Sequence, residues 1–351
     1  MWENTGNLSR EIRPYIELAK CLDEIYFFTY GDTKDFQYYD LFPPNIRVFP
    51  RKSHLPSKIY SWLLPFLYRK ELKSVDILKT NQMSGAWAAV LAKALYKKKL
   101  VIRCGYEWLL FSESGRRAFW KRAIVYFVEK IAYKAADKII LTSEGDKEFV
   151  EDKFKIPSSS IEVIRNYVDT ELFRPLNVRK VQNRVFFVGR LAEQKNLFNL
   201  IEAISGTALE LVIIGSGPLK KKVENFARQK EVKLRLKENI PNRKLPEELN
   251  RSEIFILPSF YEGCPKTLLE AMSCGLPVIS ANLACVREII THKENGYLCR
   301  TDVDSLREAI FEVSRDKPLQ ERVGRNARKT ILENFSLERI LEKEVEIYKS
   351  L

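Results

Sequence analysis

The chain has 351 residues, 45% hydrophobic and 30% charged, which suits two domains of about 150 residues each and excludes a disordered tail. Its longest uncharged stretch, Ala271 to Val286, is 16 residues broken by Gly275, Pro277 and Asn282, short of the ~18 to 20 apolar residues that span a bilayer. Lys plus Arg outnumber Asp plus Glu by 59 to 46, and positions 51–138 hold 19 basic and 6 acidic residues, so the whole net charge of +13 sits in one quarter of the chain.

From the amino terminus, Met1-Trp-Glu-Asn-Thr-Gly6 has neither the basic flank nor the apolar run of a secretory leader, so a cytoplasmic chain is expected. The first recognisable element is a helical pattern with Ile12, Ile16, Ala19 and Leu22 on one face, capped by Ser9 or begun later because of Pro14. Strand-like runs follow at 25–30, 46–49, 75–80, 100–103, 138–142 and 161–164, with helical patterns near 84–96 and 116–134. A second series restarts at 184–189 and continues at 210–215, 232–237, 254–258 and 277–280, and the polar stretch 174–183 between the series reads as a linker. This alternation is that of α/β layers. A doubly wound domain leads with a strand, and the first series lacks one.

Two constellations carry chemistry. In Leu257-Pro-Ser-Phe-Tyr-Glu262-Gly-Cys-Pro-Lys-Thr-Leu-Leu-Glu270 a strand runs through a polar loop into a short helix that Pro265 can open. Both glutamates then lie at the carboxyl edge of a sheet, where open α/β folds bind ligands. The amides of Lys266, Thr267 and Leu268 at the helix start favour a phosphate. Without its flanks the pair is a loop charge and an ordinary helix residue. The second constellation, Phe187-Val-Gly189-Arg190-Leu-Ala-Glu-Gln-Lys195, ends another strand of the same sheet. Gly189 permits a close turn, and Arg190 and Lys195 can converge on the oxygens of one diphosphate.

Other signals are weaker. Ile213-Ile-Gly215-Ser-Gly217 lacks the third glycine and acidic partner of a dinucleotide fingerprint and reads as a tight turn. Of the Asp302 and Asp304 pair, Asp304 reads as a helix cap rather than a metal ligand. Two histidines and six cysteines without a C-x-x-C pair argue against a zinc site or a histidine-dependent triad.

These ordered motifs resemble family 4 of the retaining, GT-B fold glycosyltransferases. The matching residues are the E-x7-E pair Glu262 and Glu270, the Gly189-Arg190 to Lys195 segment, Ile164-Arg-Asn166-Tyr-Val-Asp169 to Phe173-Arg-Pro175, Ile240-Pro-Asn242 to Leu245-Pro246, and Asn295-Gly296-Tyr-Leu. The resemblance implies an α/β chain of two Rossmann-like domains facing a central cleft. They would be an amino-terminal acceptor domain (1–175), a nucleotide-sugar-binding domain (176–335), and a final helix (336–351) crossing back to the first. It implies that Glu270 holds the ribose of a nucleotide-sugar, that Glu262 contacts the donor sugar, and that Arg190 and Lys195 neutralise the departing diphosphate. Gly189, Thr267 and Leu268 would complete the donor site, with no metal and no further cofactor.

Three departures stand out. Glu262-Gly263-Cys264-Pro265 replaces the frequent E-G-F-G, so one amide is lost. Arg103-Cys-Gly105-Tyr-Glu107-Trp108 lacks the histidine many members carry there, which leaves Arg103 and Glu107 as acceptor-side candidates. The absent opening strand leaves only Gly6 as counterpart of its glycine-rich loop, as expected from a misassigned start or a truncated chain.

The expected activity is transfer of a sugar, with retention, from a nucleotide-diphospho-sugar to a lipid-linked or polysaccharide acceptor. The alternatives are another GT-B enzyme such as a nucleotide-sugar epimerase, or a non-catalytic polyanion- or membrane-binding protein. The segments 57–73 and 114–130 mix cations with Trp62, Phe66, Phe119, Trp120, Tyr126 and Phe127. Such helices either lie on an anionic membrane or turn their aromatics inward as core. With a membrane-borne acceptor, the basic region reads as a peripheral contact with the inner membrane face rather than a nucleic-acid site.

Overall fold

A computed structural model describes residues 8–31, 33–51, 55–105, 109 and 119–351. The chain divides into two compact units, Arg13–Arg165 with Leu341–Leu351, and Asn166–Ile340 with the chain start up to Ile12. Among the described residues no helix is long and apolar enough to cross a membrane.

In the first unit, β1 (Ile25–Phe28) and β2 (Ile46–Phe49) pair in parallel, and β3 (Ile77–Lys79), β4 (Lys99–Arg103), β5 (Lys138–Leu141) and β6 (Ile161–Val163) form a separate parallel sheet in that order. A doubly wound sheet would place its opening strand between β1 and β3. Among the described residues no strand joins the two sheets. The helices are α1 (Leu8–Leu18), shared between the units, then α2 (Ser57–Leu67), α3 (Arg69–Ser74), α4 (Ala86–Tyr96), α5 (Phe119–Ala135) and α6 (Glu144–Phe154). Leu100, Ile102, Ile139 and Leu141 are fully buried in the core with Tyr133 and Phe154, as expected of parallel strands covered on both faces.

The helix α1 contains both Ser9 and Pro14, so neither delays nor caps its start. Pro14 has no N–H to give to the carbonyl four residues back, that of Arg10. The Tyr167 hydroxyl donates to that carbonyl at 2.6 Å, which replaces the lost bond.

The second unit is built on a six-stranded parallel sheet of β7 (Arg184–Val188), β8 (Glu210–Ile214), β9 (Lys233–Lys237), β10 (Ile254–Leu257), β11 (Val278–Ala281) and β12 (Tyr297–Cys299), in the order 12-11-10-7-8-9. Its helices are α7 (Leu197–Ile204), α8 (Lys220–Gln229), α9 (Leu245–Asn250), α10 (Lys266–Ser273), α11 (Ala284–Arg287), α12 (Val303–Arg315) and α13 (Lys317–Asn334), with α14 (Leu337–Lys349) ending in the first unit. The strand β12 is one that the sequence pattern does not reveal. The cap of α12 is Asp302, not Asp304: its carboxylate accepts from the Ser305 amide at 3.0 Å, the third-residue bond of an amino-terminal cap.

Within the first unit Glu344 of α14 is buried against the carboxyl ends of β3 and β4. It accepts from Arg103 at 3.0 Å, from Lys79 and from the Tyr348 hydroxyl. Burial alone would raise the Glu344 carboxyl, but Lys79 and Arg103 hold it down at about 2. Lys79 is itself shifted down, by burial and by Arg103, against the pull of Glu344. The cluster sets two basic side chains, Lys79 and Arg103, against the one carboxylate of Glu344.

Candidate active site

The strands β7 and β10 are neighbours where the strand order reverses, with β8 and β9 added on one side and β11 and β12 on the other. Loops leaving two such strands diverge and open a crevice. The loops 189–196 and 258–265 are clasped side by side there. The Phe260 amide donates to the Gln194 carbonyl at 2.9 Å, the Gln194 side chain to the Tyr261 carbonyl at 2.7 Å, and the Asn196 side chain to the Pro258 carbonyl at 3.1 Å. These bonds bring Lys195 onto Glu262, and the two form an ion pair with little exposure.

The turn after β8 seats the first of these loops. A Cβ on Gly215 would meet the Gly189 carbonyl oxygen at 1.9 Å, and one on Gly217 would meet that of Leu191 at 2.3 Å. Beyond making the expected turn, these glycines let two backbones touch. Arg190, carried between them, is exposed, and among the described residues no ion pair or hydrogen bond holds its guanidinium. Lys195 therefore meets Glu262, while Arg190 stays apart from both.

Glu270 is the fifth residue of α10 and is 2% exposed. Its Oε1 accepts from Arg10 at 3.1 Å and from the Asn242 side chain at 3.3 Å, while Oε2 is buried with no hydrogen-bond partner among the described residues. The hydroxyl of Ser259, in the loop leading to Glu262, is buried and unpartnered in the same way. An unsatisfied buried polar atom costs ~1–3 kcal/mol, and a ligand hydroxyl would remove that cost. Arg10 also contacts Glu11 at 3.2 Å, and Glu11 accepts from Lys266 at 2.9 Å. Glu270, Arg10, Glu11 and Lys266 thus alternate in sign. Burial opposes the charge on Arg10 and Glu11, yet Glu270 and Glu11 hold Arg10 above its ordinary value, and Lys266 and Arg10 hold Glu11 below its own.

The helix α10 begins one residue later than expected, with Pro265 in extended conformation as the cap and Lys266 as the first helical residue. The Leu268 amide already donates to the Pro265 carbonyl at 3.1 Å, which corrects its expected role as a phosphate donor. The amide of Thr267 precedes the first closed turn and has no acceptor within the helix. Gly6 and Glu107 lie outside the described residues. Arg103 belongs to the other unit, where Glu344 holds it.

Sequence reasoning missed Arg10 and Glu11, which lie over 250 residues from their partners Glu270 and Lys266. Asn242 stood in a recognised motif without a role. Among the described residues no group of three His, Cys, Asp or Glu side chains could hold a metal ion.

Two family models match the chain. One described as "Glycosyltransferase Family 4" matches residues 16–172, and one described as "Glycosyl transferases group 1" matches residues 168–330. A UDP-Gal:alpha-D-GlcNAc-diphosphoundecaprenol alpha-1,3-galactosyltransferase of Escherichia coli is 27% identical, with 85% of this chain and 86% of that protein covered. Among solved structures, sucrose-phosphate synthase from Thermosynechococcus elongatus superposes with a TM-score of 0.84 at 19% identity, covering 97% of this chain and 92% of the other. Anabaena HepE in complex with UDP gives 0.81 at 16% identity, covering 97% and 96%.

Proposed function

The chain belongs to the group 1, family 4-type glycosyltransferases and has their α/β GT-B fold, and from that premise we propose that it moves a sugar from a nucleotide-diphospho-sugar to a lipid-linked acceptor at an anionic membrane surface. The observation that carries the donor assignment is the buried Oε2 of Glu270, which has no hydrogen-bond partner among the described residues, on a carboxylate fixed by Arg10 and Asn242. A ribose hydroxyl donating to that oxygen satisfies it. The relative named for an undecaprenol-linked substrate supports the acceptor class, and the UDP complex of HepE makes UDP-sugars the first donors to test.

Breaking the glycosidic bond leaves negative charge on the departing diphosphate, and catalysis acts where that charge develops. Lys195 at the crevice, Arg190 exposed on the same loop, and the Thr267 amide at the start of α10 are the cations and dipoles available. Glu262 holds Lys195 before the donor arrives and contacts the sugar afterwards. With these groups in place the reaction proceeds without a metal ion and, following the family resemblance, with retention.

The test is transfer from UDP-sugars to a polyprenyl-diphosphate-linked sugar in detergent, with chelator present and the product anomer read by NMR. Turnover that disappears in Glu270→Ala supports the reading. Turnover unaffected by Glu270→Ala overturns the donor site, and dependence on an added divalent cation overturns the metal-free mechanism.

A further inference from the structure

The helices α2, α4 and α5 form one layer over the sheet of the first unit. The Trp87 indole of α4 donates to Ser61 of α2 at 3.0 Å, Trp62 stacks on Trp87 with ring centroids 6.3 Å apart, and the Tyr96 hydroxyl reaches the Pro65 carbonyl at 2.7 Å. On its other side α4 packs against α5.

Both outer helices are apolar on two faces. Inward, α2 buries Tyr60 and Leu64, and α5 buries Ala132 and Tyr133. Outward, α2 exposes Ile59, Trp62, Leu63, Phe66 and Leu67, at spacings of three and four residues, and α5 exposes Trp120, Ile124, Phe127 and Ile131 in the same rhythm. Trp62, Phe66, Leu67, Ile124, Phe127 and Ile131 are each between 56% and 60% exposed. A helix that faces water carries polar residues at such positions. Two apolar stripes on one layer mark an interaction surface.

The charges beside the stripes indicate what covers them. Helices joining parallel strands run back toward the strands' amino ends, so the carboxyl ends of α2, α4 and α5 share one rim. On and just beyond that rim Arg69, Lys70, Lys73, Lys97, Lys99 and Lys134 are exposed, with Glu71, Asp76 and Asp137 the acidic residues among them. A second copy of the chain seated on the same face would bring the same excess of cations to the contact, which is unfavourable. Aromatic and aliphatic stripes flanked by Lys and Arg fit the interface of a bilayer, with side chains at the headgroup level and cations at lipid phosphates.

We infer that α2 and α5 dock the first unit on an anionic lipid bilayer, with their outward stripes buried in the interface and the basic rim on the phosphates. This inference rests on the membrane-borne acceptor proposed above and names the surface that reaches it. The docking face belongs to the helical layer of the first unit, and the Glu270 crevice belongs to the other unit.

The experiment is flotation of the full chain with vesicles of phosphatidylcholine alone or with phosphatidylglycerol, at low and high salt, in parallel with turnover on a detergent-dispersed acceptor. The parent binds the phosphatidylglycerol vesicles and releases at high salt. The variants Trp62→Ser/Phe66→Ser and Ile124→Ser/Phe127→Ser/Ile131→Ser each lose about tenfold or more in partitioning while keeping turnover in detergent. Arg69→Gln/Lys70→Gln/Lys73→Gln loses the preference for anionic lipid. Parent-like vesicle binding by both stripe variants, equal binding to neutral vesicles, or a parent dimer that dissociates in the stripe variants would each overturn the inference. Vesicle binding without turnover leaves the docking face standing and sinks the proposed activity instead.

Discussion

Arg10 and Glu270 meet at 3.1 Å across 260 positions of sequence, with the carboxylate 2% exposed and the guanidinium mostly buried. The pair fixes one oxygen of Glu270 and leaves the other for a ligand. Removing one partner of a buried pair strands the other charge, at ~3–5 kcal/mol. Arg10→Ala is therefore expected to lower the melting temperature and to weaken donor binding together. Glu270→Gln keeps the shape and can still accept from Arg10, so it is expected to lose donor affinity with a smaller loss of stability. Thermal unfolding with and without UDP-sugar separates the two, since a bound ligand raises stability by mass action.

Arg190 and Lys195 differ in surroundings, and their variants should differ accordingly. Each is expected to lose ~10² to 10³ in turnover at saturating donor, as for removal of one preorganised group. Arg190→Ala, at an exposed position, leaves the melting temperature unchanged. Lys195→Ala lowers it, because Glu262 is left largely buried without its cation. Near-parent turnover in both variants would remove them from the mechanism.

The backbone contact between the turn after β8 and the loop after β7 is testable by a single methyl group. Gly217→Ala must displace the Leu191 carbonyl, which would lie 2.3 Å from the new Cβ. Overpacking of this kind costs ~1–3 kcal/mol, and the displaced loop carries Arg190. Turnover is expected to fall along with stability. Gly206→Ala is a control for the loss of a glycine alone: its φ of +75° brings backbone strain, but nothing lies within 4 Å of the added carbon. It is expected to lower stability and spare turnover.

Glu344 sets an acid limit on the fold. Its folded value of about 2 lies below the ordinary 4.5, so the unfolded chain takes up the proton first as pH falls. The contribution of Glu344 is whole above the ordinary value, and is lost progressively as pH drops from there through about 2. Glu344→Gln is expected to lower stability at neutral pH and to flatten the decline between pH 4.5 and 2. Melting curves of parent and variant across that range check it. A parallel decline in both would show that the Lys79 and Arg103 cluster contributes no pH dependence.

Local pattern alone determined the α/β rhythm, nearly every strand, and the pairing of Glu262 and Glu270 on either side of one loop-to-helix junction. Strand and helix periods are short-range properties, and eight residues of chain fix how far apart two carboxylates can be. Tertiary structure decided what sequence distance hides. Arg10 is matched to Glu270, and Arg103 is matched to Glu344 rather than standing open, because folding brings together groups separated by 260 and 241 positions. It also decided the orientation of the aromatic helices. Residues 119–135 carry apolar side chains on two faces of the helix, interrupted by Lys121, Arg122, Glu129, Lys130 and Lys134, so periodicity admits either face as the core. Packing against α4 and the sheet buries Ala132 and Tyr133 and leaves Ile124, Phe127 and Ile131 outside. A helix with two apolar faces has one core to cover and one surface left over, and only the neighbours in space determine which is which.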